Sequence, residues 1–227
     1  MLVSHRNAFI FTKTVKTAGT SVECFFEPFC VPEGAYKFLE SRGESCADAG
    51  IVGYRGAIRD GKTFFNHMSA GAIKNAIGSR LWSSYFKFTV VRNPFDKMLS
   101  AYFWFNRNKM PSEMREDDRI TDFRDWLEEK TFAEDIDARM VFDRDKYLID
   151  GEIALDYFIR YESLCDGMQF VCERVGVPWR AERLMYLKAG SRPCKIDRHL
   201  YYDSVATQKV IQWFDFEFEY FCYPREP

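Results

Sequence analysis

FIFTKTVKTAGTS, Phe9 to Ser21, decides the fold. A short apolar and aromatic run leads into a lysine-bearing turn. A helix then opens at Thr20 or Ser21, runs through Val22, Phe25 and Phe26, and is closed by Pro28. Strand, turn and helix in that order present unpaired backbone N–H groups beside a cation, the arrangement that binds phosphate or sulfate. Lys16 supplies the cation. Ala18 and Gly19 are small enough for the backbone to approach an anion closely, and Thr17, Thr20 and Ser21 add hydroxyl donors.

The same order recurs at Phe88 to Tyr102, FTVVRNPFDKMLSAY. The strand spans Tyr85 to Val91, Arg92 stands at its end, Asn93 caps the next helix and Pro94 fills its first turn. Phe95, Met98, Leu99, Tyr102 and Phe103 form one apolar face at helical spacing. Arg92 offers forked donors suited to phosphate. Ser100, two turns along, falls on nearly the same side as the cap. The plain alternative is an Arg92–Asp96 ion pair with Ser100 merely tolerated in the helix. Two anion sites on adjacent strand ends suggest a nucleotide phosphorylated at two separate positions.

The chain has 227 residues, enough for one sizeable domain. A net charge of −2 argues against a basic field for nucleic acid. Aromatic residues make up 17%, including 22 Phe, so most rings must be core. The seven cysteines are scattered without C-x-x-C spacing, which favours reduced thiols over a disulfide framework or zinc site. The leading residues MLVSHRNAFIF hold no apolar segment long enough for a signal peptide or anchor, so a cytoplasmic location is expected.

Further along, residues 31–50 read as loop, and Asp60-Gly61 between Ile58 and Phe64 signals a hairpin. A helix is expected over Ser69 to Ile77 with Gly78 past its end, a third strand over Ile153 to Tyr161, and a helix over Ser163 to Val175 ended by Gly176. Residues 106–146 read as a charged helical lid, beside which Phe103 and Trp104 are candidates for shaping an acceptor pocket. Asp203 caps a last helix carrying Val210, Trp213, Phe214 and Phe221. Strands alternating with helices give the α/β class: one P-loop-like domain over 1–227, with a central, mainly parallel sheet flanked by helices.

Gly56 to Thr63, GAIRDGKT, matches the phosphate-loop pattern G-x-x-x-x-G-K-[ST] letter for letter. A true phosphate loop follows a buried strand and opens a helix. Here Thr63-Phe64-Phe65 reads on as strand, so the match is judged coincidental. It leaves a nucleoside-triphosphate-dependent kinase or hydrolase as the rival reading, with a non-catalytic nucleotide- or glycan-binding module as a third. His67 follows Phe64-Phe65-Asn66 just before a helix. Either it is structural, or it shares the sheet edge of the anion sites; a neutral imidazole near its ordinary pKa of about 6.5 accepts a hydroxyl proton at neutral pH.

KTAGTS at 16–21, NHMSA at 66–70, VVRNPFDKMLSAY at 90–102 and DYFIRYESL at 156–164 together resemble the carbohydrate-type sulfotransferases, which include heparan sulfate and chondroitin sulfotransferases. The tail YYDSVATQKVIQWFDFEFEYFCY resembles the family's closing helix. The resemblance implies transfer of a sulfuryl group from 3′-phosphoadenosine-5′-phosphosulfate to an acceptor hydroxyl of a carbohydrate or small metabolite, with no metal. It implies Lys16 to Ser21 as the 5′-phosphosulfate loop, with Lys16 on the transferred group, and Arg92 with Ser100 on the 3′-phosphate. His67 would be the catalytic base, and a loop at Ser191-Arg192 would close over the nucleotide. Arg160 and Glu162 match a family motif, and a structural ion pair explains them equally well. Val15 and Ala18 stand where many members have proline and glycine. Without a membrane anchor, the acceptor cannot be carried over from relatives that act on secreted polysaccharide.

Overall fold

Every side chain of Leu2–Ser4 (β1) and Phe9–Phe11 (β2) is buried, as short apolar runs must be when strands lie inside a sheet covered on both faces. Ser45–Ala47 (β3), Gly50–Val52 (β4), Phe86–Val91 (β5) and Tyr157–Arg160 (β8) complete a six-stranded sheet in the order β3-β4-β1-β2-β5-β8. Leu148–Ile149 (β6) and Glu152–Ile153 (β7) form a separate two-stranded sheet. This computed structural model describes residues 1–56, 60–110, 114–129, 141–185, 187 and 197–227.

The class is α/β, and the sheet is mixed. β2, β5 and β8 are parallel, whereas β1 runs antiparallel to both β2 and β4, and β3 antiparallel to β4. The antiparallel half includes β3 and β4, which begin in the stretch read as loop. Three-residue strands are too short to show a period. The expected strand over Ile153 to Tyr161 is broken: Ile153 pairs with Leu148, and only Tyr157–Arg160 joins β5.

The contacts gather the chain into two compact units, Met1–Val91 with Asp143–Leu187 and Arg92–Phe142 with Lys188–Pro227. In the first, Phe9, Phe11, Phe88, Val90 and Ile159 of the sheet share a core with Val22, Phe25 and Phe26 of helix Gly19–Phe26. Met168, Val171, Cys172 and Val175 of helix Leu164–Val175 enter the same core. Gly176, in left-handed geometry, ends that helix as read. Helix Ala70–Ile77 is capped by Ser69, whose side chain accepts from the Ala72 N–H at 3.2 Å.

The second unit is helical. Asn93 accepts from the Phe95 N–H at 3.0 Å and Pro94 opens helix Pro94–Phe105. Phe95 packs on Tyr202 and Phe218, and Phe123 packs on Tyr102 and Tyr202, with ring centroids 5.0–5.3 Å apart. Such aromatic pairs, edge-on except for the tilted Phe95–Phe218, add about 0.5–1.5 kcal/mol each beyond burial. Within the charged 106–146 segment, helix Glu116–Glu129 turns Phe123 and Leu127 fully inward, so it is amphipathic rather than solvated all round. Asp203 caps Ser204–Trp213, which breaks at Phe214 before a second helix, Asp215–Tyr220. Among the described residues no helix is long and apolar enough to cross a membrane.

Candidate active site

β2 and β5 run parallel and side by side, so their C-terminal ends lie at the same sheet edge. Residues 12–18 leave β2 there. Lys16 and Ala18 both adopt left-handed backbone, with φ near 60° and 59°. For a non-glycine residue that geometry costs roughly 1–2 kcal/mol. Left-handed residues on either side of Thr17 are the backbone signature of an anion-binding nest, in which successive N–H groups face one concavity. Ala18 then heads helix Gly19–Phe26 with no side-chain cap, and the first intrahelical bond is Val22 N–H to the Ala18 carbonyl at 3.2 Å. The leading N–H groups of the helix therefore have no side chain of their own to satisfy them.

Exposure alternates along the loop. Lys16, Ala18 and Thr20 are half-buried, whereas Thr17, Gly19 and Ser21 are buried. The Thr17 hydroxyl meets Thr14 Oγ1 at 2.7 Å, and Ser21 Oγ accepts the Leu187 N–H at 3.1 Å. These two hydroxyls brace the loop from inside, which leaves Thr20 as the hydroxyl on the half-exposed side. Gly19 serves packing first: a Cβ there would lie 3.0 Å from Lys13 Cγ and 3.1 Å from the Thr14 carbonyl oxygen. Asp143, buried, accepts the Val15 N–H at 2.8 Å and lies 3.5 Å from Lys146 Nζ.

His67 belongs to the same unit. Its backbone is left-handed, with φ near 61°, and its Nδ1 lies 3.0 Å from the carbonyl oxygen of Lys13, at the root of the loop. A carbonyl only accepts, so Nδ1 carries the proton and Nε2 of the neutral ring is left as the acceptor. Burial, then the nearby Lys13 ammonium, pushes the His67 pKa well below its ordinary 6.5. The Met1 amine and Lys146 act in the same direction and Glu23 opposes them. The imidazole is therefore neutral at neutral pH, further from its midpoint than an unperturbed ring.

Lys13 itself is buried and donates from Nζ to Glu23 Oε2 at 2.7 Å. Glu23 also accepts from Arg42 Nη2 at 3.1 Å and Arg55 Nη1 at 3.0 Å. Glu27 lies 2.9 Å from Arg42 Nε. Burial alone would raise the Glu23 pKa; Lys13, the Met1 amine and the two arginines outweigh it and hold the carboxylate well below its usual range. Nothing in the sequence distinguished Lys13, Glu23 or Asp143 from surface charges, because Lys13 and Glu23 lie 10 positions apart and Asp143 lies 128 from the Val15 N–H it accepts.

Arg92 and Ser100 belong to the second unit. Arg92 Nε and Nη2 donate to Asp96 Oδ2 at 2.8 and 2.6 Å, the ion pair the sequence offered as its plain alternative. Ser100 is half-buried on helix Pro94–Phe105. Phe103 is a buried core residue there, and Trp104 stacks on the Arg107 guanidinium at 4.1 Å. Phe103 is thus unable to line an acceptor pocket. Ser191 and Arg192 lie outside the described residues.

The described part of Gly56 to Thr63 does not have phosphate-loop geometry. The N–H groups of Thr63 and Phe64 donate to the Glu44 carboxylate at 3.3 and 2.7 Å, and Lys62 Nζ sits over the Tyr54 ring. No helix opens directly from Thr63; the chain returns to pair Phe65 with Tyr54 in a parallel bridge before helix Ala70–Ile77 begins. The hairpin expected at Asp60-Gly61 would have brought the two sides together antiparallel.

Comparison with curated proteins and with solved structures gives no match. The model of the sulfotransferase family matches residues 1–224, spanning the lysine loop, His67, the Arg92 segment and the closing helices. By that match over nearly its whole length, the chain belongs to the sulfotransferase family, enzymes that transfer a sulfuryl group from 3′-phosphoadenosine-5′-phosphosulfate to an acceptor hydroxyl.

Proposed function

We propose that the chain is a carbohydrate-type sulfotransferase whose base is His67 and whose acceptor is a hydroxyl of a carbohydrate or small metabolite. The carbohydrate subtype rests on the four motifs quoted above. Both compact units are read as parts of one sulfotransferase domain, since one family model spans both. The observation that carries the site is the hydrogen bond from His67 Nδ1 to the Lys13 carbonyl. It ties the ring to the root of the lysine loop and leaves Nε2 to take a proton.

The donor supplies an activated sulfuryl group on a good leaving group. This chain's residues supply position and charge, which do most of the catalysis in such in-line displacements. The nest over Lys16 to Ala18 and the leading N–H groups of the helix would hold the 5′-phosphosulfate. Lys16 would offset charge growing on the leaving oxygen. Arg92 and Ser100 are assigned to the 3′-phosphate on sequence grounds, with Arg92 exchanging Asp96 for a more highly charged partner. His67 Nε2 would receive the acceptor proton. These groups provide the positive charge the reaction requires, so metal-independent transfer is part of the proposal, as is a cytoplasmic location.

The test is a screen of mono- and disaccharides, sterols and phenols with sulfur-labelled donor and no added metal. Label on a sugar hydroxyl supports the reading. Label confined to phenols or sterols sinks the carbohydrate assignment.

A further inference from the structure

Four hydrogen bonds tie His67 to a buried charged cluster through Lys13. Lys13 Nζ donates to Glu23 Oε2 at 2.7 Å. With its amide assigned in the orientation that satisfies both neighbours, Asn66 bridges the pair, its nitrogen donating to Glu23 Oε1 at 2.7 Å and its oxygen accepting from Lys13 Nζ at 3.2 Å. The next residue, His67, donates from Nδ1 to the Lys13 carbonyl at 3.0 Å. Lys13 is thus gripped at its ammonium and at its carbonyl by two neighbours in sequence. Its stem is confined as well, since a Cβ at position 19 would lie 3.0 Å from Lys13 Cγ.

We infer that Lys13, Glu23 and Asn66 form a positioning device that selects the tautomer of His67 and aims its Nε2. The inference rests on the reading of His67 as the base. A neutral imidazole in water exchanges between two tautomers, and only the one protonated at Nδ1 leaves Nε2 able to accept. A backbone carbonyl selects that tautomer only if it is held still. The Lys13 carbonyl sits near the start of a loop with strained backbone at Lys16 and Ala18. The Lys13–Glu23 link closes that loop onto its own helix, and Asn66 fixes the left-handed His67 backbone against the same pair. Lys13 is therefore a positioning residue, distinct in task from Lys16, although both stand in one turn.

The experiment uses the full chain labelled with nitrogen-15 at histidine. Only His5, His67 and His199 are present, so the His67 signals are assigned by their loss in His67→Ala. At neutral pH the parent should show His67 as a single tautomer protonated at Nδ1. Asn66→Ala, which leaves every charge in place, should give a mixture of both tautomers. Release of adenosine 3′,5′-bisphosphate from the donor, in a mixture of saccharide alcohols, should slow by about ten-fold, a part of what a general base contributes. Affinity for the bisphosphate should be unchanged. Glu23→Gln, isosteric and still able to accept from Lys13, is the second variant and should shift the tautomer likewise. A parent ring protonated at Nε2, or a single Nδ1–H tautomer retained in both variants, overturns the inference. Parent-like turnover in His67→Ala instead overturns the reading of His67 as the base, so the two failures are told apart.

Discussion

At the residue scale, His67 and Lys16 are given separable tasks. His67→Ala should lower kcat by roughly 10²-fold or more and leave the affinity for adenosine 3′,5′-bisphosphate near the parent value. Lys16→Ala should impair both, because Lys16 would touch the donor's own anion. Steady-state kinetics beside calorimetry separates the two patterns. The pH dependence has a definite sign. A base must be unprotonated, and burial with Lys13 lowers the His67 pKa, so kcat/KM should stay flat through pH 6.5 and fall only at more acid pH. An acid limb at or above 6.5 would mean another group is titrating. Arg92→Ala should remove most of the preference for adenosine 3′,5′-bisphosphate over adenosine 5′-monophosphate, since a charge-assisted contact is lost. Equal affinities in the parent would remove the 3′-phosphate site.

At the scale of elements, the loop and helix 9–26 depend on Gly19. Gly19→Ala would press a methyl group against Lys13 and the Thr14 carbonyl. The loss should be about 1–3 kcal/mol, the range for overpacking, measured by urea unfolding. An unchanged midpoint would mean that Lys13 is not confined as described. Two strands and their following helices were readable because apolar runs such as FIF and FTVV need no partner to announce themselves, and Asn93-Pro94 and Asp203 cap by local chemistry. The three-residue strands β1, β3 and β4 were not read as separate strands, since they are too short to show a period and are defined by their antiparallel pairing. The Asp60-Gly61 turn misled because the Tyr54 N–H bonds to the Phe64 carbonyl and the Asn66 N–H to the Tyr54 carbonyl, a parallel bridge, while the Phe64 N–H goes to the Glu44 carboxylate. At the site, Lys16 and His67 stood out by motif. Lys13 and Glu23 did not, because a buried ion pair and a surface one look alike in sequence.

At the scale of the whole molecule, stability leans on a buried set of cations around Glu23. Glu23→Ala strands Lys13, Arg42 and Arg55 without their shared carboxylate, and should cost about 3–5 kcal/mol, as loss of one partner of a buried pair does. Because the Glu23 pKa is lowered on folding, its contribution is present above the ordinary carboxylate range and is lost as pH falls below it. Sulfuryl transfer governed by the His67–Lys13 arrangement is tested by the movement of labelled sulfate from 3′-phosphoadenosine-5′-phosphosulfate to a hydroxyl acceptor, without magnesium, by the parent and by His67→Ala. The parent should give labelled acceptor, and the variant, which still binds the bisphosphate, should transfer at least about 10²-fold more slowly. Equal transfer by both proteins would contradict it.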